Sequence, residues 1–514
     1  MAWSRRKVLT QVACAPCAMS SALANIVNAS ARRVALVIGN DRYRHNALSN
    51  AGNDARGMAS LLSRAGFTVD LRLDATREQM TAAIEALGRT VAQREVGTAL
   101  FFYAGHAAQL DWRNYLLPVD GDVQSAADVA RQCVDLGLLI TQLSRTKGKT
   151  ALIIIDACRD DPFGSRFRPP VKGMTPYDAP PGTLLAFATA PGRVALEVSG
   201  STNGLYTEQL LRELAVEGVR VEDALKRVRL NVRMASGGAQ VPWESTSLES
   251  DVYLFAKPAR SAADLEREFR DEYEAWRRIK DSSQLDDWVA YLRRYPNGKF
   301  AELAQVRIRQ LLPEPSPAPA GALRLGPGLP VPARFKGSGH PNSAGSYVFR
   351  PVWTPGDTYE FEEMDIYSRV VKRRVKLVVK RVEADRVVLA DGAVMDALGS
   401  VLAEAPNRRF EPAMQVNPDV LQIGRKWSTR YLQTEANGAA AWGDYAFRVT
   451  GREMVKVPAG EFSAFRVDGL GSFRGGSQRV ARWMLPGLNF PVRRELERTG
   501  NARVLVSARQ AVSS

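Results

Sequence analysis

The chain has 514 residues, of which 45% are hydrophobic and 24% are charged, the composition of an ordinary globular protein. One hydrophobic core rarely serves so long a chain, so we expect two or three domains. The formal charge is +15, but the lysines and arginines are scattered and form no compact basic tract or nucleic-acid motif, which favours a solvated basic surface and no nucleic-acid partner.

Residues 1–30 are predicted to be an export signal. Ser4-Arg5-Arg6 provides paired arginines, a modestly apolar stretch follows, and Ala22-Leu23-Ala24 provides a small-residue cleavage site. This pattern resembles a twin-arginine signal and predicts export to the periplasm or the cell exterior. A disordered basic N-terminus is the alternative. The sequence has no run of about 18 uncharged apolar residues, so no transmembrane span is predicted.

Residues 31–258 are predicted to be an α/β domain built on a mainly parallel sheet flanked by helices. Short, nearly continuous apolar runs predict strands that are covered on both faces. Between them, apolar residues at intervals of three and four predict crossover helices. The predicted strands are Val34–Ile38, Ala99–Tyr103, Ala151–Ile155 and Thr183–Ala188, and the predicted helices are Asp54–Arg64, Met80–Val91 and Val134–Leu143.

Three further segments follow this domain. An aromatic and apolar stripe at helical spacing predicts a small helical module at residues 262–312, whose last helix runs from Phe300 to Leu311. Proline, glycine and alanine dominate residues 313–344, as in a flexible linker. Apolar runs with turn signals at Asp391-Gly392 and Asn437-Gly438 predict a β-rich sandwich or barrel at residues 345–512, which we expect to be a structural or binding module.

The cysteines and histidines limit the chemistry that the chain can perform. Of four cysteines, Cys14 and Cys17 fall within the predicted export signal, which leaves Cys133 and Cys158, too few for a disulfide framework. A single bridge between these two is an alternative in an oxidising compartment. The three histidines are far apart and no cluster has metal-ligand spacing, so no metal is predicted. No phosphate-binding glycine loop follows a strand, so no nucleotide cofactor is predicted either.

His106 and Cys158 are the candidates for catalysis, because each follows a predicted strand. Chemistry in parallel α/β sheets collects beyond the carboxyl ends of the strands, which places these residues as a base and a nucleophile. A facing imidazole would promote the reactive thiolate and later protonate the leaving amine. The N–H groups of Cys158 and Ala107 are the candidate donors to the oxyanion.

The motifs around both residues resemble the caspase-like cysteine peptidases. YAGHAAQ (Tyr103–Gln109) precedes DACRDDPF (Asp156–Phe163) by about fifty residues, the spacing of the caspase signature. The resemblance is closer to the bacterial metacaspase and paracaspase-like branch than to animal caspases, which carry QAC where this chain has DAC. The other matching segments are Val34–Tyr43, Leu48–Ala55, Asn114–Asp120, Ala188–Glu197, Asn203–Leu211 and Gln240–Trp243.

The resemblance implies cleavage after a basic residue. It assigns Asp156 to an acidic pocket, and a carboxylate two positions before the nucleophile would favour arginine or lysine on physical grounds as well. Capping of the following turn is the alternative role for Asp156, and Asp120 is a second possible pocket carboxylate. The family usually has glycine where this chain has Ala107. If that position required a positive φ, alanine would cost about 1 kcal/mol or more and lower the activity.

Two hypotheses about function follow. The first is a cysteine endopeptidase that acts on protein or peptide substrates, with self-cleavage in the loop Gly164–Pro181 as a secondary behaviour. The second is a catalytically inactive caspase-fold scaffold that binds partners in the cell envelope through its helical and β-rich domains. No cofactor is expected. Some metacaspases require calcium, but no EF-hand loop is present in the sequence.

Overall fold

The computed structural model describes residues 31–145, 148–158, 174–190, 202–256, 261–296, 298–312, 323–332, 335–336, 340–383, 386–404, 407–473 and 476–510. The predicted export signal and most of the loop Gly164–Pro181 lie outside the described residues. So does the side chain of Cys158, although its backbone is part of a strand. None of the described helices is long and apolar enough to cross a lipid bilayer.

The first domain is a mainly parallel sheet with helices on both faces, as the apolar runs predict. In the described residues the sheet has the strand order β2-β1-β3-β6-β7-β8, in which only β8 is antiparallel to its neighbour. The strands are β1 (Arg32–Gly39), β2 (Phe67–Leu73), β3 (Val96–Leu110), β4 (Arg113–Leu116), β5 (Val134–Asp135), β6 (Thr150–Cys158), β7 (Thr183–Phe187) and β8 (Trp243–Thr246). The helices are α1 (Ala51–Arg64), α2 (Arg77–Val91), α3 (Ala126–Gln132), α4 (Leu136–Ser144), α5 (Leu205–Leu214) and α6 (Val221–Ala235).

Several elements have bounds that differ from the sequence prediction, and the helices predicted from Asp54 and Met80 begin earlier, at Ala51 and Arg77. The predicted helix from Val134 starts later, because Val134 and Asp135 form β5 and the Asp135 carboxylate accepts a hydrogen bond from the Gly137 N–H at 2.8 Å, which caps α4. Strand β3 is also much longer than its apolar run. It continues through His106 to Leu110 because its second half pairs with β4 after its first half has paired with β6.

Separate hydrophobic clusters cover the two faces of this sheet. Residues of β1 alternate between them: Ala35 and Val37 pack with α1, α5 and α6, whereas Val34 and Leu36 pack with α2 and α4. This is the alternation that a strand buried on both faces requires. The prediction of a mainly parallel sheet flanked by helices is confirmed.

Residues 262–311 contain helices α7 (Ala262–Ile279), α8 (Leu285–Arg294) and α9 (Ala301–Leu311). Ser261 caps α7 by accepting a hydrogen bond from the Asp264 N–H at 3.1 Å. The aromatic stripe forms the core of this unit, and Leu230 of α6 belongs to the same cluster. The stripe therefore packs the helical unit onto the first domain.

The C-terminal domain is a closed antiparallel barrel. In the described part of the chain twelve strands form the barrel, which closes where β11 pairs with β23; β9 extends it at β23, while β10 and β17 pair separately. The prediction left a sandwich or a barrel open, and the pairing of strands far apart in sequence selects the barrel. The strands are β9 (Leu323–Leu325), β10 (Ser346–Val348), β11 (Thr358–Asp365), β12 (Val371–Glu383), β13 (Arg386–Leu389), β14 (Val394–Asp396), β15 (Val401–Glu404), β16 (Arg408–Glu411), β17 (Val420–Gln422), β18 (Lys426–Thr434), β19 (Ala440–Val457), β20 (Gly460–Phe473), β21 (Gly476–Met484), β22 (Arg493–Leu496) and β23 (Asn501–Gln510).

A buried ion cluster joins the helical unit to the barrel domain. The Arg425 guanidinium lies 2.7 Å from a Glu302 carboxylate oxygen and 2.8 Å from one of Asp419, and Arg309 lies 2.9 Å from the other Asp419 oxygen. Glu302 and Arg309 belong to α9, whereas Asp419 and Arg425 flank β17. Because all these charges are shielded from water, each depends on its partners.

Arg425→Met is therefore expected to lower the free energy of unfolding by about 3 kcal/mol, because it leaves buried carboxylates without their counter-charge. Urea unfolding followed by tryptophan fluorescence measures the change. Arg381→Met is the matched control, since Arg381 pairs with Glu383 on the surface, and its effect is expected to stay within about 0.5 kcal/mol. Equal stabilities of the two variants would contradict a stabilising role for the cluster.

Candidate active site

The register of β3 and β6 brings the two candidate catalytic residues together. The strands pair in parallel from Thr98 with Thr150 to His106 with Cys158, which is the last pair. Neighbouring strands lie about 4.8 Å apart, so two residues that are 52 positions apart in sequence become neighbours at the carboxyl end of the sheet. Beyond this pair, β3 leaves β6 and pairs with β4.

The His106 imidazole is held in one orientation by a backbone carbonyl. Its Nε2 lies 2.7 Å from the carbonyl oxygen of Asn46, which can only accept, so Nε2 carries the proton and Nδ1 of the neutral ring is the basic nitrogen. Asn46 has a φ of 55°, a left-handed conformation that asparagine tolerates well. The Tyr43 ring packs on the imidazole with 4.6 Å between centroids. His106 is only 3% exposed.

Two tyrosine hydroxyls fix the backbone of His106. The His106 N–H donates to the Tyr43 hydroxyl at 2.9 Å, and the Tyr103 hydroxyl donates to the His106 carbonyl at 2.6 Å. Gly105 makes this approach possible, because a Cβ atom there would lie 2.6 Å from both hydroxyl oxygens. The small residue before the histidine is thus required by packing against tyrosine.

Ala107 occupies an unstrained position. It is buried, it pairs with Leu116 of β4, and it is not among the described residues with a positive φ. The cost considered for alanine in place of glycine therefore does not arise. Because the Leu117 N–H donates to the His106 carbonyl and hydrogen-bonded pairs alternate along an antiparallel ladder, the Ala107 N–H points away from β4.

Asp156 is buried on β6, two residues before Cys158. Its carboxylate accepts a hydrogen bond from the Thr207 hydroxyl at 2.6 Å. Burial raises the pKa of Asp156 to about 6, although the hydrogen bonds from Thr207 oppose this shift. The carboxyl group therefore changes charge close to neutral pH, as a group poised in a polar cleft can.

Asp54 is a second buried carboxylate at this site, and the sequence analysis assigned it no role. It accepts hydrogen bonds from the Asn203 amide at 2.8 Å and the Gly204 N–H at 3.0 Å. A Cβ atom on Gly204 would lie 3.2 Å from an Asp54 oxygen and 3.6 Å from an Asp156 oxygen, so both carboxylates face the same point. One signal was available: Asp54 lies on the apolar face of α1 with Ala51, Ala55 and Met58.

Residues 32–253 match a family model described as a caspase domain. This segment is a caspase-like domain. Among solved structures, the Drosophila initiator caspase Dronc is similar, with 15% sequence identity and a TM-score of 0.33, covering 44% of this chain and 86% of that chain. A comparison with curated proteins found no match.

Asp120 lies elsewhere in the caspase-like domain. Its side chain is exposed and accepts a hydrogen bond from the Arg77 N–H at 2.9 Å, at the first turn of α2. The structure therefore does not bring Asp120 together with Asp156. A carboxylate at a helix N-terminus satisfies a free N–H group and favours the helix dipole.

Cys133 is the other cysteine of the caspase-like domain. Cys133 is a free thiol, so it does not form the bridge to Cys158 that was an alternative, and burial raises its pKa to about 12. Within the described residues, no group of three histidine, cysteine or acidic side chains could hold a metal ion.

Proposed function

We propose that this protein is a cysteine endopeptidase that cleaves after arginine or lysine, with Cys158 as nucleophile and His106 as base. The observation that supports it most directly is the register of β3 and β6, whose pairing ends with His106 opposite Cys158. A thiol and an imidazole are effective together only when they can exchange a proton directly. Adjacent positions at the carboxyl end of a parallel sheet meet this requirement.

The Asn46 carbonyl supports the proposed role of His106. With Nε2–H committed to Asn46, Nδ1 accepts the thiol proton, and the carbonyl dipole stabilises the imidazolium that forms. The thiolate then attacks the scissile carbonyl carbon, and the imidazolium gives its proton to the leaving amine. Water hydrolyses the resulting thioester, with His106 again as the base.

Two N–H groups are proposed to stabilise the oxyanion. The N–H of Cys158 lies at the end of β6, and the N–H of Ala107 follows His106 and points away from β4. Preorganised backbone donors of this kind contribute roughly 3 kcal/mol each to lowering the barrier. The extended conformation of Ala107 means that no strain opposes this placement.

Asp156 and Asp54 are proposed to form the pocket for the basic side chain of the substrate. Both are buried and both lie close to Gly204. A guanidinium between two carboxylates gains charge-assisted hydrogen bonds, and its charge would offset the cost of burying them. Asp120 has its own partner in α2 and is not part of this proposal.

The proposal also covers the cellular location of the protein and its binding partners. We propose that residues 1–30 direct export to the periplasm or beyond, that no cofactor takes part, and that the helical unit and the barrel contact substrate proteins or envelope partners. A cavity of about 890 Å³ lined by the caspase-like domain, the helical unit and the barrel supports a role for their junction in binding. Sequencing the mature N-terminus tests the export signal.

The test of the activity is a panel of fluorogenic peptides that differ only in the residue before the scissile bond. Arginine and lysine peptides are expected to be hydrolysed. Citrulline and aspartate peptides are expected to react at least about 100-fold more slowly, because they offer no positive charge. The panel is run with calcium and with chelator. Equal rates on arginine and citrulline would contradict the acidic pocket.

The inactive scaffold remains the second candidate, and one observation favours it: His106 is only 3% exposed. A substrate must displace part of what covers the imidazole before it can react. An electrophilic thiol probe separates the two functions, because the peptidase labels at Cys158 and the scaffold does not. Mass spectrometry of the labelled peptide reads out the result in reduced protein.

Self-cleavage is expected after arginine or lysine in the loop Gly164–Pro181. The loop follows the nucleophile strand and carries basic residues such as Arg166 and Lys172, the side chains that the proposed acidic pocket would bind. Incubated wild-type protein is expected to yield two fragments, whereas Cys158→Ala stays intact. Cleavage of both proteins at the same site would point to a contaminating peptidase.

A further inference from the structure

A row of charged side chains crosses five neighbouring strands of the barrel. Arg482 of β21 lies directly opposite Arg494 of β22, and Arg494 lies opposite Arg503 of β23. Arg503 in turn lies opposite Glu363 of β11, which lies opposite Arg373 of β12. Directly opposite residues of an antiparallel sheet project from the same face. We call these five residues the arginine row.

The arginine row lines the inside of the barrel. Arg482 lies opposite Val467, which is buried in the barrel core together with Val449. At the other end of the row, Phe361 lies two positions from Glu363 on the same face of β11 and is also part of the core. Arg482 itself is only 7% exposed.

Among the described residues, two arginines of the row, Arg482 and Arg494, have no ion pair with a carboxylate. Glu363 is already shared, since Arg503 donates to it at 2.9 Å and Arg373 at 2.5 Å. Among the described residues, Arg494 has no recorded hydrogen bond or ion pair. The carboxylate of Glu404, whose negative charge raises the pKa of Arg494, is itself paired with Arg408 at 2.9 Å.

Arg482 is held only by neutral acceptors. Its Nη1 donates to the Val416 carbonyl at 2.6 Å and to the Asn417 amide oxygen at 2.8 Å. Burial, reinforced by the neighbouring arginine, lowers the pKa of Arg482 to about 9 and that of Arg494 to about 10. Like charges directly opposite each other destabilise a sheet, and a buried charge without a counter-charge is costly.

The row leads from solvent into the barrel. The side chain of Arg373 is 68% exposed and that of Arg503 is 22% exposed, whereas Arg482 is almost fully buried. The exposed Arg373 end is therefore where an anion from solvent would meet the row first. The forked donors of arginine match the oxygens of phosphate and carboxylate groups.

We propose that the arginine row is a binding site for an oxyanion group, a phosphate or carboxylate carried by a small molecule or a lipid head group. The bound anion supplies the counter-charge that Arg482 and Arg494 lack. This site lies in the barrel, and it does not depend on the proposed peptidase activity. The barrel thereby becomes the part of the protein that senses an anionic ligand.

Isothermal titration of the full chain with inorganic phosphate, at ionic strength held constant with potassium chloride, tests the site. Phosphate is expected to bind at one site, and Arg494→Met and Arg494→Gln are expected to weaken it at least about tenfold, the loss of one charge-assisted contact. Arg479→Met is the matched control, because Arg479 lies on β21, the strand next to that of Arg494, and its side chain is 73% exposed. It is expected to retain the wild-type affinity.

A second arm distinguishes the source of the oxyanion. Vesicles of phosphatidylglycerol that bind the wild type but not Arg494→Met indicate a lipid head group, whereas phosphate binding without vesicle binding indicates a free small molecule. Thermal unfolding without phosphate checks the fold, and Arg494→Met is expected to melt no lower than the wild type, because it relieves repulsion. No phosphate binding to the wild type, or equal affinity in Arg494→Met, would overturn the proposal.

Discussion

Replacing Cys158 by alanine is expected to abolish peptide hydrolysis, lowering kcat/KM by roughly 10⁴-fold or more, because a nucleophile has no substitute in a covalent mechanism. The measurement is the rate of hydrolysis of an arginine peptide, with active sites counted by thiol-probe labelling. Binding of a peptide inhibitor is expected to persist, because the acidic pocket is unchanged.

Cys133→Ala is the matched control for this variant. Cys133 is a buried free thiol, and burial raises its pKa to about 12, so it stays protonated and unreactive at neutral pH. Its replacement is expected to leave the activity and the probe labelling intact. Hydrolysis that survives in Cys158→Ala, or probe labelling of Cys133 alone, would refute the assignment of the nucleophile.

Replacing Asp156 by asparagine is expected to lower kcat/KM for arginine peptides by about 100-fold while leaving the slow hydrolysis of citrulline peptides nearly unchanged. The loss corresponds to one charge-assisted contact with the substrate in a buried pocket. The ratio of the two rates is the informative quantity, since effects on the thiol and the imidazole cancel in it. Asp54→Asn is expected to lower the same ratio.

The pH dependence gives the proposal for Asp156 a second test. The pKa of Asp156 is about 6, so its carboxylate gains a proton and loses its attraction for arginine as the pH falls below this value. The preference of the wild type for arginine over citrulline is therefore expected to fall between about pH 7 and pH 5. In Asp156→Asn the ratio is expected to be low and independent of pH over this interval.

Protonation of Asp156, which weakens the preference for arginine, is expected to stabilise the folded protein. The pKa of Asp156 is raised in the folded protein above its ordinary value of 3.8, so the folded state holds a proton that the unfolded chain has lost. Its contribution to stability is present below about pH 4 and is lost as the pH rises through about 6. Asp156→Asn is therefore expected to be more stable than the wild type at pH 7. A less stable variant would contradict burial as the cause of the shift.

The sequence alone predicted the parallel sheet of the first domain and placed His106 and Cys158 just after two of its apolar runs, although β3 itself continues beyond His106 to Leu110. Strands covered on both faces must be apolar over their whole length, and this requirement leaves a continuous local pattern. The helical unit could be predicted from the sequence for a related reason, since a helix with one buried face repeats its apolar residues every three to four positions. Turn residues such as Asp391-Gly392 are local as well.

Other features depend on contacts between distant parts of the chain. Asn46 reaches His106 through a carbonyl group, which every residue possesses, so no side-chain pattern could reveal it. Asp54 meets Asp156 only because α1 and β6 both approach Gly204. Asp120 belongs to a segment that matches the family, yet its carboxylate accepts a hydrogen bond from the first turn of α2 instead of lying beside Asp156.

The sequence by itself indicated the central strands and several helices and singled out His106 and Cys158 as candidates for base and nucleophile, because burial and reactivity are properties of individual side chains and their spacing. The tertiary structure decided that β11 meets β23 to close a barrel, that Asp54 and Asp156 both lie close to Gly204, and that Arg482, Arg494 and Arg503 line up on one face of the barrel wall. A periodic apolar pattern predicts that one face of an element is buried, but it does not predict which element packs against that face. These contacts are therefore known only from the folded structure.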